Sequence, residues 1–142
     1  MLWLTNVNFG RSGMAKNRFV LDTSAVIFLA AKGSIIPSGL EDKLNEADIF
    51  VSVISEIELF SKPALPPDEE KNLRAFLADR IFVADITDSI KKETLALRRG
   101  IGLKIPDCIV AASAITLEAV LLTADKELLC LDWPGFRAQG VF

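Results

Sequence analysis

Short runs of apolar, often β-branched residues alternate along this chain with longer segments whose apolar residues recur at helical spacing. The short runs lie at residues 18–21, 49–53, 81–84 and 120–122, and they predict strands. Strands that alternate with helices usually form a parallel sheet covered by helices on both faces. The pattern therefore predicts an α/β protein, a three-layer α/β/α sandwich with a mostly parallel central sheet.

Capping residues and helix breakers give the expected helix bounds. Helices are predicted at residues 23–31, 40–47, 55–62, 66–79, 87–100 and 106–117. We expect Thr23 or Ser24 to cap the first helix, Gly33 to end it, and Ser55 to begin the third helix before Pro63 stops it. The tail of the chain is expected to end in an edge strand at residues 141–142.

The chain has 142 residues, the usual size of a single domain. Residues 1–13 show no periodic pattern, and we expect there a disordered leader or an overextended start, followed by one domain at residues 14–142. The apolar run at residues 19–31 resembles a signal peptide, but Asp22 interrupts it and it is too short to cross a bilayer. Cys108 and Cys130 lie in apolar runs that predict buried thiols without a disulfide, so we expect a cytoplasmic protein without a membrane segment.

The composition excludes several kinds of chemistry. The chain contains no histidine, which rules out a histidine-based ribonuclease mechanism. Its net charge of −3 provides no overall basic field, so contacts with nucleic acid must rely on local cations or on a metal ion. Carboxylates are the remaining candidates for catalysis or metal binding, and they favour a hard divalent cation.

Four carboxylates lie where one site could collect them. Asp22 follows the first strand, Asp107 begins a helix, and Asp125 follows the last clear strand. In a parallel sheet these positions meet at the carboxyl ends of the strands, where ligands bind. Glu58 would reach the same place from one turn inside its helix. Glu56 lies about 200° away from Glu58 around that helix, so only one of the two can face a shared centre, and the spacing does not choose between them.

Each acid also has an ordinary structural explanation. Asp107 could be a helix N-cap, Asp125 a turn or cap residue, and Glu58 part of a solvated helix face. Asp22 is harder to explain in this way, because a carboxylate at the end of a buried strand is destabilising unless something pairs with it. Together the four carboxylates would repel one another unless a cation lies among them.

The motifs that contain these acids resemble those of a known family. They are Val20-Leu21-Asp22-Thr23-Ser24-Ala25, Ser52-Val53-Ile54-Ser55 with Glu58-Leu59, Leu103-Lys104-Ile105-Pro106-Asp107 with the helix after it, and Leu122-Thr123-Ala124-Asp125. From about Arg18 onward the chain is similar to PIN-domain ribonucleases, especially to VapC-type toxins of toxin–antitoxin pairs. The family's second acid precedes a leucine, which matches Glu58 rather than Glu56.

The resemblance implies an endoribonuclease that depends on Mg²⁺ or Mn²⁺. Its acids correspond to Asp22, Glu58, Asp107 and Asp125, which would bind metal, and its supporting hydroxyl residues correspond to Thr23, Ser24 and Thr123. RNA would be the substrate, a cognate antitoxin protein the partner, and a homodimer the expected assembly. Arg98, Arg99 and Lys104 are candidates for contacts with RNA, although each could equally cap a helix end or stay solvated. Leu29, Phe60 and Leu65 could form a partner interface or belong to the core.

Three other readings remain. A receiver-type signalling module also gathers acids at strand ends, but it needs a second acid after Asp22, where Thr23 stands. It also needs a lysine after the last strand, to which Lys126 corresponds only weakly. Haloacid-dehalogenase phosphatases need a second Asp where Ser24 stands. A non-catalytic PIN-like module would keep the fold and serve only in binding, although all four acids are present.

Overall fold

The computed structural model describes residues 17–31 and 34–142. Within them, five strands and seven helices follow one another along the chain. They are β1 (Arg18–Leu21), α1 (Thr23–Ala30), α2 (Leu40–Asn45), β2 (Asp48–Ser52), α3 (Val53–Phe60), α4 (Pro67–Ala78), β3 (Ile81–Ala84), α5 (Asp88–Gly100), α6 (Ile105–Thr116), β4 (Val120–Thr123), α7 (Lys126–Leu129) and β5 (Ala138–Gly140). The expected leader at residues 1–13 and the expected helix end at Gly33 lie outside the described residues.

The strands form one parallel sheet in the order β3-β2-β1-β4-β5. β1 is the central strand, and its Leu21 lies level with Val51 of β2 and Leu122 of β4. The chain first builds the sheet on one side of β1 and then crosses to the other, which makes the gap between β1 and β4 the switch point of the topology. Ligands bind at such a point, beyond the carboxyl ends of the strands.

Alternate residues of the strands contribute to two separate cores. Val20, Phe50 and Leu121 pack in one core with residues of α5 and α6. Leu21 and Val51 pack in the other core with residues of α1, α2 and α4. Because successive side chains of a strand point to opposite faces, helices cover both sides of the sheet. The predicted three-layer α/β/α sandwich is confirmed, and its sheet is parallel throughout.

Two helix starts differ from the sequence prediction. Asp22, rather than Thr23 or Ser24, caps α1, because its Oδ1 accepts a hydrogen bond from the Ala25 amide at 2.8 Å. Ser52, rather than Ser55, caps α3, because its Oγ accepts from the Ile54 amide at 3.2 Å. Ser55 is fully buried inside that helix. Asp22 directly follows β1 and Ser52 is the last residue of β2, so in both places the chain passes from sheet to helix without a loop.

The end of the chain also differs from the prediction. The edge strand is β5, at Ala138–Gly140, and not residues 141–142, because β4 ends at Thr123, whose partner in β5 is Gly140. The apolar pair that suggested a strand has another role: Val141 is fully buried, and Phe142 contacts the Phe28 ring edge-on at 5.1 Å between centroids. The short helix α7 was not predicted.

The two cysteines have different environments. Cys108 is buried in α6, as predicted, and burial raises the pKa of its thiol. Cys130 is exposed after α7, so the prediction that it is buried was wrong. The apolar run around Cys130 is explained by Leu128 on the neighbouring turn, which is buried. Neither thiol forms a disulfide.

Candidate functional site

Asp22 lies at the switch point, directly after β1. It is only 7% exposed, and its amide donates to the Leu122 carbonyl at 3.2 Å. Oδ1 accepts from the Ser24 hydroxyl at 2.7 Å as well as from the Ala25 amide, and Oδ2 accepts from the Thr123 hydroxyl. Three neutral donors therefore satisfy this buried carboxylate and fix its orientation, which answers how a charge can be held at the end of a buried strand.

The same two hydroxyls bind the loop after β4. Ser24 Oγ accepts from the Ala124 amide at 3.0 Å, and Thr123 Oγ1 accepts from the Asp125 amide at 2.9 Å. Each hydroxyl thus donates to Asp22 and accepts from the backbone that leads to Asp125. The relative positions of Asp22 and Asp125 are consequently set by side chains from two elements about 100 residues apart in sequence.

Asp125 has one structural role of its own. It caps α7, because its Oδ1 accepts from the Glu127 amide at 2.9 Å. The ordinary explanation of this residue as a cap is therefore realised in the structure. It does not exclude a second role, since a carboxylate has a second oxygen and Asp125 is half-buried near the other acids.

Glu58 reaches the site from α3. Its Oε1 accepts from the Thr23 hydroxyl of α1 at 3.0 Å, and the side chain is exposed. Thr23 directly follows Asp22, so this hydrogen bond brings the second candidate acid beside the first. Glu56, the alternative that the spacing left open, has no such contact with α1 among the described residues.

Asp107 lies in the first turn of α6 and is half-buried. It does not cap the helix, because the cap position is Lys104. Burial raises the pKa of its carboxyl above the ordinary value of 3.8, and the charges of Asp125, Glu58 and Asp22 raise it further, while Lys104 lowers it. All three other candidate acids are therefore near enough to act on Asp107 electrostatically. The structure gathers the four carboxylates at one end of the sheet.

The chemistry of this donor set fits a divalent cation. The donors are all carboxylate oxygens, which Mg²⁺ and Mn²⁺ prefer, and a cation among them would offset the repulsion that disfavours ionised Asp107. As the side chains stand in the described part of the chain, no group of three or more of them is arranged to hold a metal ion.

The three candidate RNA contacts have different surroundings. Arg98 donates to the Gly102 and Leu103 carbonyls at 3.2 and 2.6 Å, so it stabilises the loop between α5 and α6. Arg99 is exposed near the end of α5. Lys104 is exposed, and its positive charge lowers the pKa of Asp107. Lys104 is thus the candidate that lies beside the acids.

Sequence reasoning missed the backbone donors of the site. The Ala25 amide binds Asp22, and the Ala124 amide binds Ser24. A signal for the first was present, since an Asp directly before a predicted helix is a preferred N-cap whose side chain binds an amide two or three residues ahead. The second could not be seen, because it depends on how the β4–α7 loop meets α1.

Comparisons with known proteins give the family and the fold of this chain. The family model described as PIN domain matches residues 19–133. Comparison with curated proteins found no match. In the described part of the chain, no helix has the length and apolar character needed to span a bilayer.

Solved structures with a similar fold include chains from VapBC complexes. A chain from VapBC2 of Rickettsia felis, bound to a promoter DNA fragment, has a TM-score of 0.69 at 21% identity and covers 87% of this chain and 98% of its own length. A chain from DNA-bound VapBC of Salmonella typhimurium has a TM-score of 0.69 at 21% identity, with coverage of 89% and 99%. A chain from VapBC-1 of nontypeable Haemophilus influenzae has a TM-score of 0.66 at 21% identity and covers 87% of this chain and 97% of its own length. The family match extends from the first strand to beyond the last candidate acid, and this chain belongs to the PIN domain family.

Proposed function

We propose that this protein is a metal-dependent endoribonuclease and the VapC-type toxin of a toxin–antitoxin pair. The observation that carries the proposal is that Asp22, Glu58 and Asp125 all lie near enough to Asp107 to raise its pKa, in a chain without histidine. Membership of the PIN domain family and the similarity to chains from VapBC complexes support it.

In this proposal the four carboxylates hold Mg²⁺ or Mn²⁺. Bound there, the ion would make a water molecule more acidic and would offset charge on the phosphoryl oxygens. Ser24, Thr123 and the Ala25 amide keep the carboxylate of Asp22 in one orientation. Thr23 does the same for Glu58. Lys104 attracts the phosphate backbone of the RNA toward an otherwise acidic site.

The proposed partners are an antitoxin and a second copy of the chain. Leu29, Phe60 and Leu65 are partly buried and pack against the core under α1 and α4, so they belong mainly to the fold. More apolar surface is exposed at Ile27 of α1 and Ile57 of α3, which are 52% and 55% exposed. Exposed apolar residues on neighbouring helices, close to the acidic site, suit a protein contact.

A non-catalytic PIN-like module is the second candidate. One observation favours it: within the described residues, the acids are not arranged to hold a metal ion. A receiver-type module has less support, because the residues after Asp22 are hydroxyl donors to that carboxylate or to Glu58 rather than acids.

The test of the proposed function is RNA cleavage by the purified protein with Mg²⁺, with Mn²⁺ and with EDTA. We expect cleavage that needs the metal and that falls by at least about a hundredfold in Asp22→Asn, because an amide cannot supply the charge of the carboxylate. Circular dichroism would show whether the variant is folded. If a folded, antitoxin-free protein neither cuts any RNA nor binds Mn²⁺, the binding-only module is correct.

The choice between the two glutamates can be tested directly. Glu58→Gln is expected to lower metal-dependent cleavage by about ten- to hundredfold, since Glu58 is the glutamate beside Asp107 and Thr23. Glu56→Gln makes the same chemical change on the same helix and should leave the rate within about twofold, well inside the range of a surface substitution. Equal losses in the two variants would contradict the assignment of Glu58.

A further inference from the structure

A second concave surface lies at the opposite end of the sheet from the acidic site. Its volume is about 290 Å³. We call it the basal cleft. Its polar lining residues are three cations (Arg18, Lys43 and Arg137), one carboxylate (Glu118) and two side-chain amides (Asn17 and Gln139), and Phe19 and Val120 complete the lining. They come from the starts of β1 and β5, from α2 and from the chain just after α6.

The basal cleft is positively charged in a protein that is negatively charged as a whole. Three cations and one carboxylate line it, whereas the net charge of the chain is −3. Asp48 lies level with Arg18 on the neighbouring strand and offsets part of the charge of that arginine. Lys43 and Arg137 are exposed, and neither takes part in the ion pairs Arg74–Glu70 and Lys91–Asp88.

Two of the cations are held in place by the backbone. Arg18 Nη1 donates to the Leu117 carbonyl at 2.9 Å, and Arg137 Nη2 donates to the Glu118 carbonyl at 3.3 Å. These contacts satisfy carbonyls that the end of α6 leaves open. A guanidinium has five N–H donors, so one such contact anchors Arg137 and leaves further donors for a ligand. The cleft therefore presents an anchored guanidinium next to a lysine.

We propose that the basal cleft binds phosphate groups, and that in the cell these belong to an RNA strand whose cleaved bond lies at the acidic site. The assignment to RNA rests on the proposed ribonuclease function. Arginine forks match the oxygens of a phosphate, and the amides of Asn17 and Gln139 add neutral donors. The four residues of β1 span roughly 13 Å, so the cleft contacts phosphates remote from the bond that is cut.

The competing explanation is that the arginines only close the end of α6. In that case their replacement changes the unfolding temperature and not the affinity for RNA. Lys43 separates the two explanations, because it lies on α2 and no contact ties it to α6 among the described residues. Lys43→Gln tests the cleft without disturbing the helix end.

The experiment measures binding of a short labelled single-stranded RNA by fluorescence anisotropy at several salt concentrations, in EDTA so that no cleavage occurs. The variants are Lys43→Gln, Lys43→Gln/Arg137→Gln, and the control Lys71→Gln/Lys92→Gln, which removes two exposed cations outside the cleft. We expect the slope of log Kd against log salt to fall by about 1.4 in the double cleft variant and by about half of that in Lys43→Gln, because each phosphate contact on a single strand contributes about 0.7. The control should keep the slope of the unchanged protein.

A second arm uses inorganic phosphate and follows the side-chain amide of Gln139 by NMR. Phosphate should shift this signal in the unchanged protein and not in the double cleft variant. Equal salt slopes for the cleft variants and the control, or an amide signal that phosphate leaves in place, would overturn the proposal.

Cleavage of a small phosphodiester with Mn²⁺ separates the two proposals. Bis-p-nitrophenyl phosphate cannot span the sheet, so the cleft variants should cleave it at the unchanged rate. If the unchanged protein cleaves neither this substrate nor RNA while the cleft variants still show a reduced salt slope for RNA binding, the nuclease proposal fails and the proposal of a phosphate-binding cleft remains. If the unchanged protein cleaves these substrates but the cleft variants and the control have equal salt slopes, the cleft proposal fails and the nuclease proposal remains.

Discussion

An Asp107→Asn variant is expected to lose at least about a hundredfold in metal-dependent cleavage and yet to unfold at a higher temperature than the unchanged protein in EDTA at neutral pH. The loss follows from the proposed role of Asp107 in holding the metal. The gain in stability follows from the raised pKa of this carboxyl, which burial and the charges of Asp125, Glu58 and Asp22 disfavour in its ionised form. An amide of the same shape carries no charge and avoids that repulsion.

The pH dependence of this effect has a definite sign. The folded pKa of Asp107 lies above the ordinary value of 3.8, so the folded state holds this proton more tightly than the unfolded chain does. Well below pH 3.8 the carboxyl of Asp107 is protonated in both the folded and the unfolded state, so it makes no difference to the free energy of unfolding. As the pH rises from that value through the folded pKa, the contribution of Asp107 becomes destabilising. The advantage of Asp107→Asn should therefore appear across this window and persist at neutral pH.

Thermal unfolding followed by circular dichroism, from acid to neutral pH in EDTA, measures this prediction. Asp132→Asn is the control, because it removes one negative charge from an exposed position outside the site. Added Mn²⁺ should raise the unfolding temperature of the unchanged protein more than that of Asp107→Asn. A lower unfolding temperature for Asp107→Asn in EDTA would show that the carboxylate is stabilised by the fold, and that the repulsion among the four acids is unimportant.

Thr123→Val is expected to have the second large effect, a loss of about 2–3 kcal/mol in the free energy of unfolding together with a fall of about ten- to hundredfold in cleavage. The Thr123 side chain is fully buried, donates to Asp22 Oδ2 and accepts from the Asp125 amide. Valine has nearly the same shape, so the change removes both hydrogen bonds without leaving a cavity. It leaves one carboxylate oxygen and one amide without a partner near the switch point.

Two further variants show whether the hydroxyl is responsible. Thr123→Ser keeps the hydroxyl and should retain most of the activity. Thr94→Val is the matched control, because Thr94 Oγ1 donates only to the Ile90 carbonyl within α5, at 2.7 Å. The expected stability change there is small, since that carbonyl is also available to the helix backbone. If Thr123→Val cleaved RNA as fast as the unchanged protein, the orientation of Asp22 would not depend on Thr123.

Strand and helix order could be predicted because each depends on local pattern. The β-branched runs gave β1 to β4, and the helical spacing gave α1 to α6, with errors at the element ends. Those errors share a cause: Asp22 directly follows β1, Ser52 is the last residue of β2, and both cap the next helix. A hydroxyl residue one to three positions later in the sequence looks equally suitable as a cap. β5 was misplaced because its bounds depend on where its partner β4 ends.

The candidate site could be predicted in part. The rule that parallel strands place their carboxyl ends together named Asp22, Asp107 and Asp125, and the structure gathers them with Glu58. The geometry of Glu58 with Thr23 could not be read from periodicity, which says which helix face a residue occupies and not what that face meets. The basal cleft was not visible either, because its cations are far apart in sequence.

The sequence by itself determined the α/β class, a mostly parallel sheet, the absence of histidine chemistry and the candidate acids Asp22, Asp107 and Asp125, since these depend on residue type and on periods of two and 3.6 residues. Only the tertiary structure decided that Ser24 and Thr123 each bind Asp22 and the loop that carries Asp125. It also decided that Asp107 lies among three other carboxylates, and that Arg18, Lys43 and Arg137 share one cleft. The physical reason is that hydrogen bonds and charge interactions act over a few ångströms in space, and the order β3-β2-β1-β4-β5 places residues about 100 positions apart within that distance.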